Sequence, residues 1–203
     1  SCDTFLSTLA AFQGTIMQVP PMFSAVKKNG RRLYELARSG IKVDLQPRQV
    51  TVYAIELVNW SPPTATITIT CGKGFYVRSL AFDIGNRLGC GAHLNALVRT
   101  KNGPFEISRA LTLETASDRL VKSDWDNSVY NPDIVVREYH AMILGDNLAR
   151  MMCHGRSLPE LSRIAGTNGI DVCRAYSTDG RFLGILRRNT ESGLWNPEKV
   201  FLS

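Results

Sequence analysis

Several features that define whole classes of proteins are absent from this 203-residue sequence. It has no apolar run long enough to span a bilayer, so we expect no membrane segment. No basic stretch followed by an apolar core opens the chain, so we find no secretory signal peptide. The five cysteines are odd in number and widely spaced, which disfavours a disulfide framework or a zinc site. They favour a reducing, cytoplasmic setting.

Residues that commonly carry catalysis or bind metals are also scarce. Only three histidines occur, and none has a nearby serine or cysteine in the arrangement of a nucleophile and its base. His93 is therefore interpreted as a structural residue or an RNA contact. No acidic residues have the spacing of a metal site, and the glycines around Cys90 are too sparse for a phosphate loop. We expect no metal site.

Positive charge, in contrast, is abundant and concentrated. The net charge is +6, which favours an anionic partner such as nucleic acid or a membrane surface. Most of this excess comes from the segment of residues 27–48, where Glu35 and Asp44 are the only acidic residues. Its basic residues are Lys27, Lys28, Arg31, Arg32, Arg38, Lys42 and Arg48. A protruding basic hairpin and helix, with Phe23 and Tyr34 interleaved, suits phosphate and base contacts. The alternative is a solvated charged face.

The hydrophobic pattern predicts alternating helices and strands in the first part of the chain. Residues 3–13 have helical spacing, and 33–37 form a short helix that Gly40 ends. Residues 50–60 and 64–71 predict an antiparallel hairpin, with four threonines on one face of the second strand. The period then changes, and an apolar stripe predicts a helix over 77–88, closed by Gly89.

The remainder of the chain predicts a smaller β-rich part. We expect strands at 94–101 and 105–108 around the turn Asn102–Gly103, then helices at 112–122 and 145–154. Further strands are expected at 172–176, 182–187 and 199–202. The polar, turn-rich stretch 122–133 suggests a boundary between domains 1–128 and 129–203. The fold class is α+β: a mixed, largely antiparallel sheet with flanking helices, followed by a small β-rich domain.

Tyr76 and Arg78 lie at the predicted junction between a strand and a helix. Two residues apart on a strand, their side chains would point to one face. Arginine remains charged and can bind a carboxylate or phosphate through two N–H groups. The pair therefore could form part of a catalytic site. The alternative is a surface arginine beside a half-buried tyrosine at a sheet edge.

Long motifs in the sequence resemble one known family. They are "QVPPMFSAVKKNGRRLYELARSGI", "GKGFYVRSLAFDIGNRLGCGAHLNALVRT", and the closing "GRFLGI" and "WNPEKVF". Together they are similar to the TruB family, the tRNA pseudouridine synthases that modify the T-loop uridine (position 55). The resemblance covers nearly the whole chain in the family's order.

The resemblance implies an isomerase whose partner is tRNA, bound through its T-arm. Such enzymes flip the uridine out, attack it with an aspartate, and rejoin the rotated base through carbon. No cofactor or metal is implied. Tyr76 would line the base pocket, Arg78 would pair with the aspartate, and Leu97 would be an apolar wall. Residues 18–46 would form an RNA-gripping thumb, and the tail from about 130 a PUA-like domain. The predicted RNA-binding residues are Lys27, Lys28, Arg31, Arg32, Tyr34, His93 and Arg99.

One departure from the family pattern is important. The "GxxDPxATG"-type motif that carries the aspartate is absent, as is the "KxY" strand. Asp3, Asp44 and Asp83 lie in regions that match other parts of the pattern. We expect the chain to begin midway through the catalytic domain, to be inactive alone, and to be monomeric when complete. Two alternatives remain: a non-catalytic RNA-binding or RNA-folding module, and a subunit that completes a site with a separate N-terminal chain.

Overall fold

The computed structural model describes residues 1–28, 30–41, 43–122, 128–159 and 169–201. The chain divides into two compact units, Ser1–Val98 and Arg99–Ser203, and each has its own sheet. The combination of helices with largely antiparallel strands confirms the predicted α+β class. No helix among the described residues has the length and apolar character needed to cross a membrane.

The first unit contains a three-stranded antiparallel sheet. In chain order its elements are α1 (Cys2–Ala10), β1 (Gly14–Gln18), β2 (Lys27–Lys28), β3 (Arg31–Arg32), α2 (Leu33–Arg38), β4 (Arg48–Ser61), β5 (Thr64–Cys71) and α3 (Val77–Leu88). The sheet order is β1–β4–β5, while β2 and β3 form a separate hairpin. The predicted hairpin of 50–60 and 64–71 is therefore confirmed, with β4 slightly longer than expected.

One face of this sheet is covered and the other is open. Along β5 the four threonines are exposed, whereas Ala65, Ile67 and Ile69 turn toward the core, as the alternation predicts. Leu80 and Ile84 of α3 are buried there together with side chains of α1. The strand alternation and the helix stripe thus meet in one core, which fixes the start of α3 relative to the sheet.

The connection from α1 to the sheet differs from the prediction. The helix ends at Ala10 rather than at residue 13, and Gly14 adopts a positive φ of 97° as β1 begins. This strand was not predicted, because five residues that pair with the distant β4 carry little local signal. Pro20 and Pro21 follow β1, and neither has a backbone N–H for further strand pairing.

The second unit contains a four-stranded sheet. In chain order its elements are β6 (Lys101–Asn102), β7 (Phe105–Glu106), α4 (Leu113–Val121), β8 (His140–Leu144), α5 (Asp146–Cys153), β9 (Val172–Ser177), β10 (Phe182–Arg188) and β11 (Trp195–Val200), with 3₁₀ turns at Ile107–Arg109 and Pro132–Val136. The order is β11–β10–β9–β8, and only β8 and β9 are parallel among these pairs.

A dense apolar core supports this second sheet. Trp195, Leu186 and Met152 are fully buried within it, and α5 packs against the strands. Cys173 is buried in the same cluster, and burial raises the pKa of its thiol to about 11, so the thiol stays neutral at neutral pH. Gly184 faces the carbonyl oxygen of Lys199, which an added Cβ would approach to 2.0 Å. None of the five cysteines, all of which lie in the described residues, forms a disulfide.

The second part differs from the prediction in two respects. The expected strands 94–101 and 105–108 shrink to the two-residue β6 and β7, because residues 94–100 find no partner strand among the described residues. β8 was not predicted, since its parallel partner is distant along the chain. Within the second unit Arg119 donates to Ser128 and Phe105 contacts Tyr130, and the boundary between domains 1–128 and 129–203 stays a prediction. Residues 123–127 of the proposed linker, and Leu202, lie outside the described residues.

Candidate active site and RNA-binding surface

Tyr76 and Arg78 lie at the start of α3 rather than on a strand. β5 ends at Cys71, and Gly74 in the connection has a positive φ of 82°, which extended strand pairing does not tolerate. Tyr76 is the N-cap of α3 and is half-buried, while Arg78 is in its first turn and exposed. The expectation that both side chains share one strand face is therefore wrong, although both remain at one helix terminus.

A buried glutamine holds the backbone of Tyr76. The Gln18 side-chain Nε2 donates to the carbonyl oxygen of Tyr76 at 3.1 Å, and the Tyr76 N–H donates to Gln18 Oε1 at 2.8 Å. Gln18 is only 2% exposed, so its amide could not leave these partners without losing hydrogen bonds that water cannot replace. The amide therefore hydrogen-bonds to both the N–H and the carbonyl of Tyr76, as the backbone of a neighbouring strand would.

Two further side chains attach the segment after Gln18 to α3. Ser79 Oγ donates to the carbonyl of Val19 at 2.8 Å, and Arg78 Nη2 donates to the carbonyl of Phe23 at 2.7 Å. Ser79 is itself buried. We call residues 18–23 the docking segment. It connects β1 to the basic hairpin, so the hairpin and the first turn of α3 share one anchor.

Arg78 forms no ion pair in the part of the chain that the structure describes. Asp83, on the same helix, is not its partner, and burial raises the pKa of that carboxyl. A guanidinium has five N–H groups, and the described bond to Phe23 uses one of them. The group can therefore hold the docking segment and still bind a carboxylate or phosphate.

The other predicted site residues are not gathered around this pair. Leu97 is 59% exposed and His93 is exposed, and no described contact joins either of them to Tyr76 or Arg78. Arg99 is exposed at the start of the second unit. A pocket formed by Tyr76, Arg78 and Leu97 stays a prediction.

Gly85 lets the chain return against α3 toward His93. Its carbonyl accepts the N–H groups of Cys90 at 3.2 Å and Gly91 at 3.0 Å. An added Cβ at Gly85 would lie 2.0 Å from the backbone nitrogen of Ala92, a distance that real Cβ atoms do not reach. The absence of a side chain here fixes where the segment after α3 begins.

We expect Gly85→Ala to destabilise the protein by about 2–4 kcal/mol, because the clash is with backbone that cannot move aside easily. Alanine's better helix propensity would return only about 1 kcal/mol. Urea unfolding measures the difference. Gly72→Ala is the control, since an added Cβ there has no contact closer than 3.5 Å. Equal stability of both variants would show that the chain after α3 does not pack as described.

The basic hairpin places cations directly opposite cations. In the β2–β3 ladder Lys27 faces Arg32 and Lys28 faces Arg31, and all four side chains are exposed. None of them belongs to an ion pair among the described residues. Like charges opposite each other destabilise a strand pair. The arrangement is therefore suited to binding an anion.

Tyr34 lies between two guanidinium groups. Arg32 donates to its hydroxyl at 3.2 Å, and the Arg32 and Arg38 guanidinium carbons lie 5.9 and 5.6 Å from its ring centre. The hydrogen bond to Tyr34 raises the pKa of Arg32, which keeps it charged. Lys28 Nζ donates to the carbonyl of Asp44 at 2.6 Å. Asn29 at the predicted hairpin tip, and Lys42, lie outside the described residues.

Gln18 is the site residue that reasoning from the sequence missed. A glutamine before two prolines suggests a loop, and its spacing to an aromatic residue 58 positions away carries no local pattern. One signal was available: Ile16 and Gln18 are two apart on an extended segment, which places the amide on the covered face. Across the described residues no three His, Cys, Asp or Glu side chains cluster where a metal ion could bind.

Comparison with known proteins identifies the class to which this fold and basic hairpin belong. Residues 1–77 match the model of the TruB family pseudouridylate synthase (N terminal domain), and residues 78–144 match the tRNA pseudouridylate synthase B C-terminal domain. A curated relative from Dehalococcoides mccartyi is 37% identical over 203 residues, the whole chain and 66% of the relative. One from Burkholderia mallei is 40% identical and 68% covered. Both are named tRNA pseudouridine synthase B. The chain belongs to the TruB family.

Solved structures support the fold. A chain of a Cbf5-Nop10-Gar1 complex superposes with a TM-score of 0.73 at 23% identity, covering 98% of this chain and 62% of that one. A chain of an H/ACA RNP bound to a substrate RNA containing 2'-deoxyuridine superposes with a TM-score of 0.68 at 20% identity. The present chain spans about two thirds of the length of the first curated relatives, at 66% and 65%.

Proposed function

We propose that this chain belongs to a tRNA pseudouridine synthase that isomerises the T-loop uridine. Membership of the TruB family supports the reaction class, and the two relatives described above carry that name. The tRNA partner, bound through its T-arm, the PUA-like role of residues 129–203, the monomeric state and the cytoplasmic location belong to the same proposal.

In this proposal the start of α3 supplies the orienting half of the active site. Tyr76 contacts the flipped base, Arg78 pairs with the nucleophilic carboxylate, and Leu97 closes the pocket. A fixed cation beside a carboxylate keeps it ionised and therefore nucleophilic. The carboxylate belongs to a motif that these 203 residues do not contain. We therefore propose that the chain alone makes no pseudouridine.

The like-charged ladder of the basic hairpin is the observation that carries the RNA proposal. Lys27 and Arg32, like Lys28 and Arg31, face each other without a described acid between them. A phosphate backbone would remove the repulsion and release counterions. Tyr34, held by two guanidinium groups beside the hairpin, offers an aromatic surface to a base.

We expect salt-sensitive binding of a T-arm hairpin RNA. Each phosphate contact contributes about 0.7–0.9 to the slope of log K against log salt. The triple change Lys27→Ala, Arg31→Ala and Arg32→Ala should therefore lower the magnitude of the slope by about 2–3. Fluorescence anisotropy across a salt series measures it.

The matched control removes three exposed cations elsewhere, at Lys101, Arg109 and Lys122. It makes the same change in net charge without touching the hairpin. If both triple variants alter the slope equally, RNA responds to overall charge only, and the hairpin is a solvated face.

A non-catalytic RNA-binding module is the second candidate. The contact that favours it is the bond from Arg78 to the Phe23 carbonyl, which gives the guanidinium a structural use without any carboxylate. The two candidates differ in the reaction. Both bind the T-arm, but only a synthase joined to its nucleophile releases the C5 hydrogen of the target uridine.

A further inference from the structure

Gln18 has no assigned role in the proposed reaction, yet it makes the most buried polar contact at the candidate site. The residue is 2% exposed, and its amide satisfies the N–H and the carbonyl of a single residue, Tyr76. Tyr76 is the N-cap of α3, and its side chain does not cap the helix. Within the described contacts, the Gln18 side chain is what fixes the Tyr76 backbone from outside the helix.

We propose that Gln18 is a positioning residue, whose side-chain amide fixes the Tyr76 backbone so that the tyrosine ring meets the target base. The proposal rests on the proposed function for what the ring contacts. Gln18 itself touches neither the base nor the reacting atoms. It acts through Tyr76, as one of three side-chain attachments between the docking segment and α3.

The geometry makes the amide hard to replace. The Tyr76 carbonyl needs a donor and the Tyr76 N–H needs an acceptor, and the Gln18 amide offers both, at 3.1 and 2.8 Å. The same carbonyl also accepts the N–H of Leu80 at 3.1 Å in the first helical turn. Loss of the amide therefore frees one side of Tyr76 while α3 keeps its own bonds.

The first test measures the bond without RNA. Gln18→Met preserves the side-chain length but removes both polar groups. We expect hydrogen exchange of the Tyr76 amide to become at least about tenfold faster in this full-length variant, while Val52 in β4 stays protected. Gln49→Met, at an exposed position of β4, is the control and should leave Tyr76 unchanged. Unchanged exchange at Tyr76 in Gln18→Met overturns the proposal.

The second test measures the consequence for the base. Two T-arm hairpin RNAs are compared, one with the target uridine and one with an abasic site there. We expect Gln18→Met to reduce the preference for the intact RNA by about tenfold while affinity for the abasic RNA stays unchanged. A purely structural role would weaken both RNAs together, and that result contradicts positioning. Gln49→Met should retain the full preference.

Gln18→Glu adds a pH profile that a packing defect cannot imitate. At about pH 8 the introduced carboxylate can accept from the Tyr76 N–H but has no proton for the Tyr76 carbonyl. Burial raises the pKa of such a group, so lowering the pH protonates it and restores the missing donor. We expect the preference for intact RNA, relative to wild type at each pH, to recover as pH falls.

These measurements distinguish a failure of the proposed function from a failure of the positioning role of Gln18. If wild type binds intact and abasic RNA equally, the proposed function fails, and the exchange rate at Tyr76 still decides whether Gln18 holds it. If wild type prefers the intact RNA but Gln18→Met and Gln18→Glu keep that preference at every pH, the function stands and the positioning proposal is overturned.

Discussion

The 203-residue chain alone is expected to release no tritium from a T-arm transcript labelled at uridine C5. Pseudouridine formation joins the ribose to C5, so the hydrogen on that carbon passes to water each time a base is isomerised. The reaction needs a nucleophile, and the proposed one belongs to an aspartate motif that is missing from these residues. We therefore expect no detectable turnover by the chain alone, rather than turnover at a reduced rate.

A binding measurement distinguishes an inactive chain from a misfolded one. RNA binding by the same preparation, measured by anisotropy, is the control that the chain is folded and engages substrate. Turnover by the purified chain alone would contradict the assignment of a missing nucleophile. Asp3, Asp44 and Asp83 would then be the candidates, although none of them forms an ion pair with Arg78 in the described residues.

Once the aspartate motif is supplied in cis, Arg78→Lys is expected to lower kcat by roughly 10²-fold with little change in KM. Arginine can hold a carboxylate through two N–H groups, while a lysine ammonium is a point charge on a flexible stem. The introduced lysine can still donate to the Phe23 carbonyl, so the docking segment should remain attached.

Arg87→Lys is the matched control for this experiment. Arg87 lies on the same helix and is exposed. Its guanidinium carbon lies 5.9 Å from the centre of the Phe12 ring, and no described contact joins it to Tyr76 or Arg78. Its replacement should leave kcat near the wild-type value. An equal loss in both variants, or a rise in KM with unchanged kcat for Arg78→Lys, would argue that Arg78 binds RNA instead of orienting a carboxylate.

The elements with one covered face could be predicted from sequence. The alternation of Ile67 and Ile69 with threonines marks β5, and the stripe through Leu80 and Ile84 marks α3, because burial on one side imposes the period. The turn glycines also acted as expected: Gly89 ends α3 with a φ of 75°. In each of these elements, local spacing and tertiary burial point to the same answer.

The parts that failed depend on partners far along the chain. β1 and β8 become strands through pairing with β4 and β9, and neither has a distinctive pattern of its own. The candidate site shows the same limit. The sequence singles out Tyr76 and Arg78 as candidates, but their attachment to Gln18 and Phe23 joins positions 58 and 55 residues apart. No pattern of residue spacing predicts a hydrogen bond between a side chain and a backbone group so far apart in sequence.

Adding an aspartate motif determines whether residues 1–203 form part of a pseudouridine synthase active site. A segment that carries the aspartate motif, taken from a TruB family member, is joined in cis to residues 1–203. Tritium release from the C5-labelled T-arm transcript is then measured. We expect turnover by the joined protein, none by either part alone, and none when the motif aspartate is replaced by asparagine. A folded, RNA-binding joined protein that releases no tritium would contradict the assignment of residues 1–203 to a pseudouridine synthase active site.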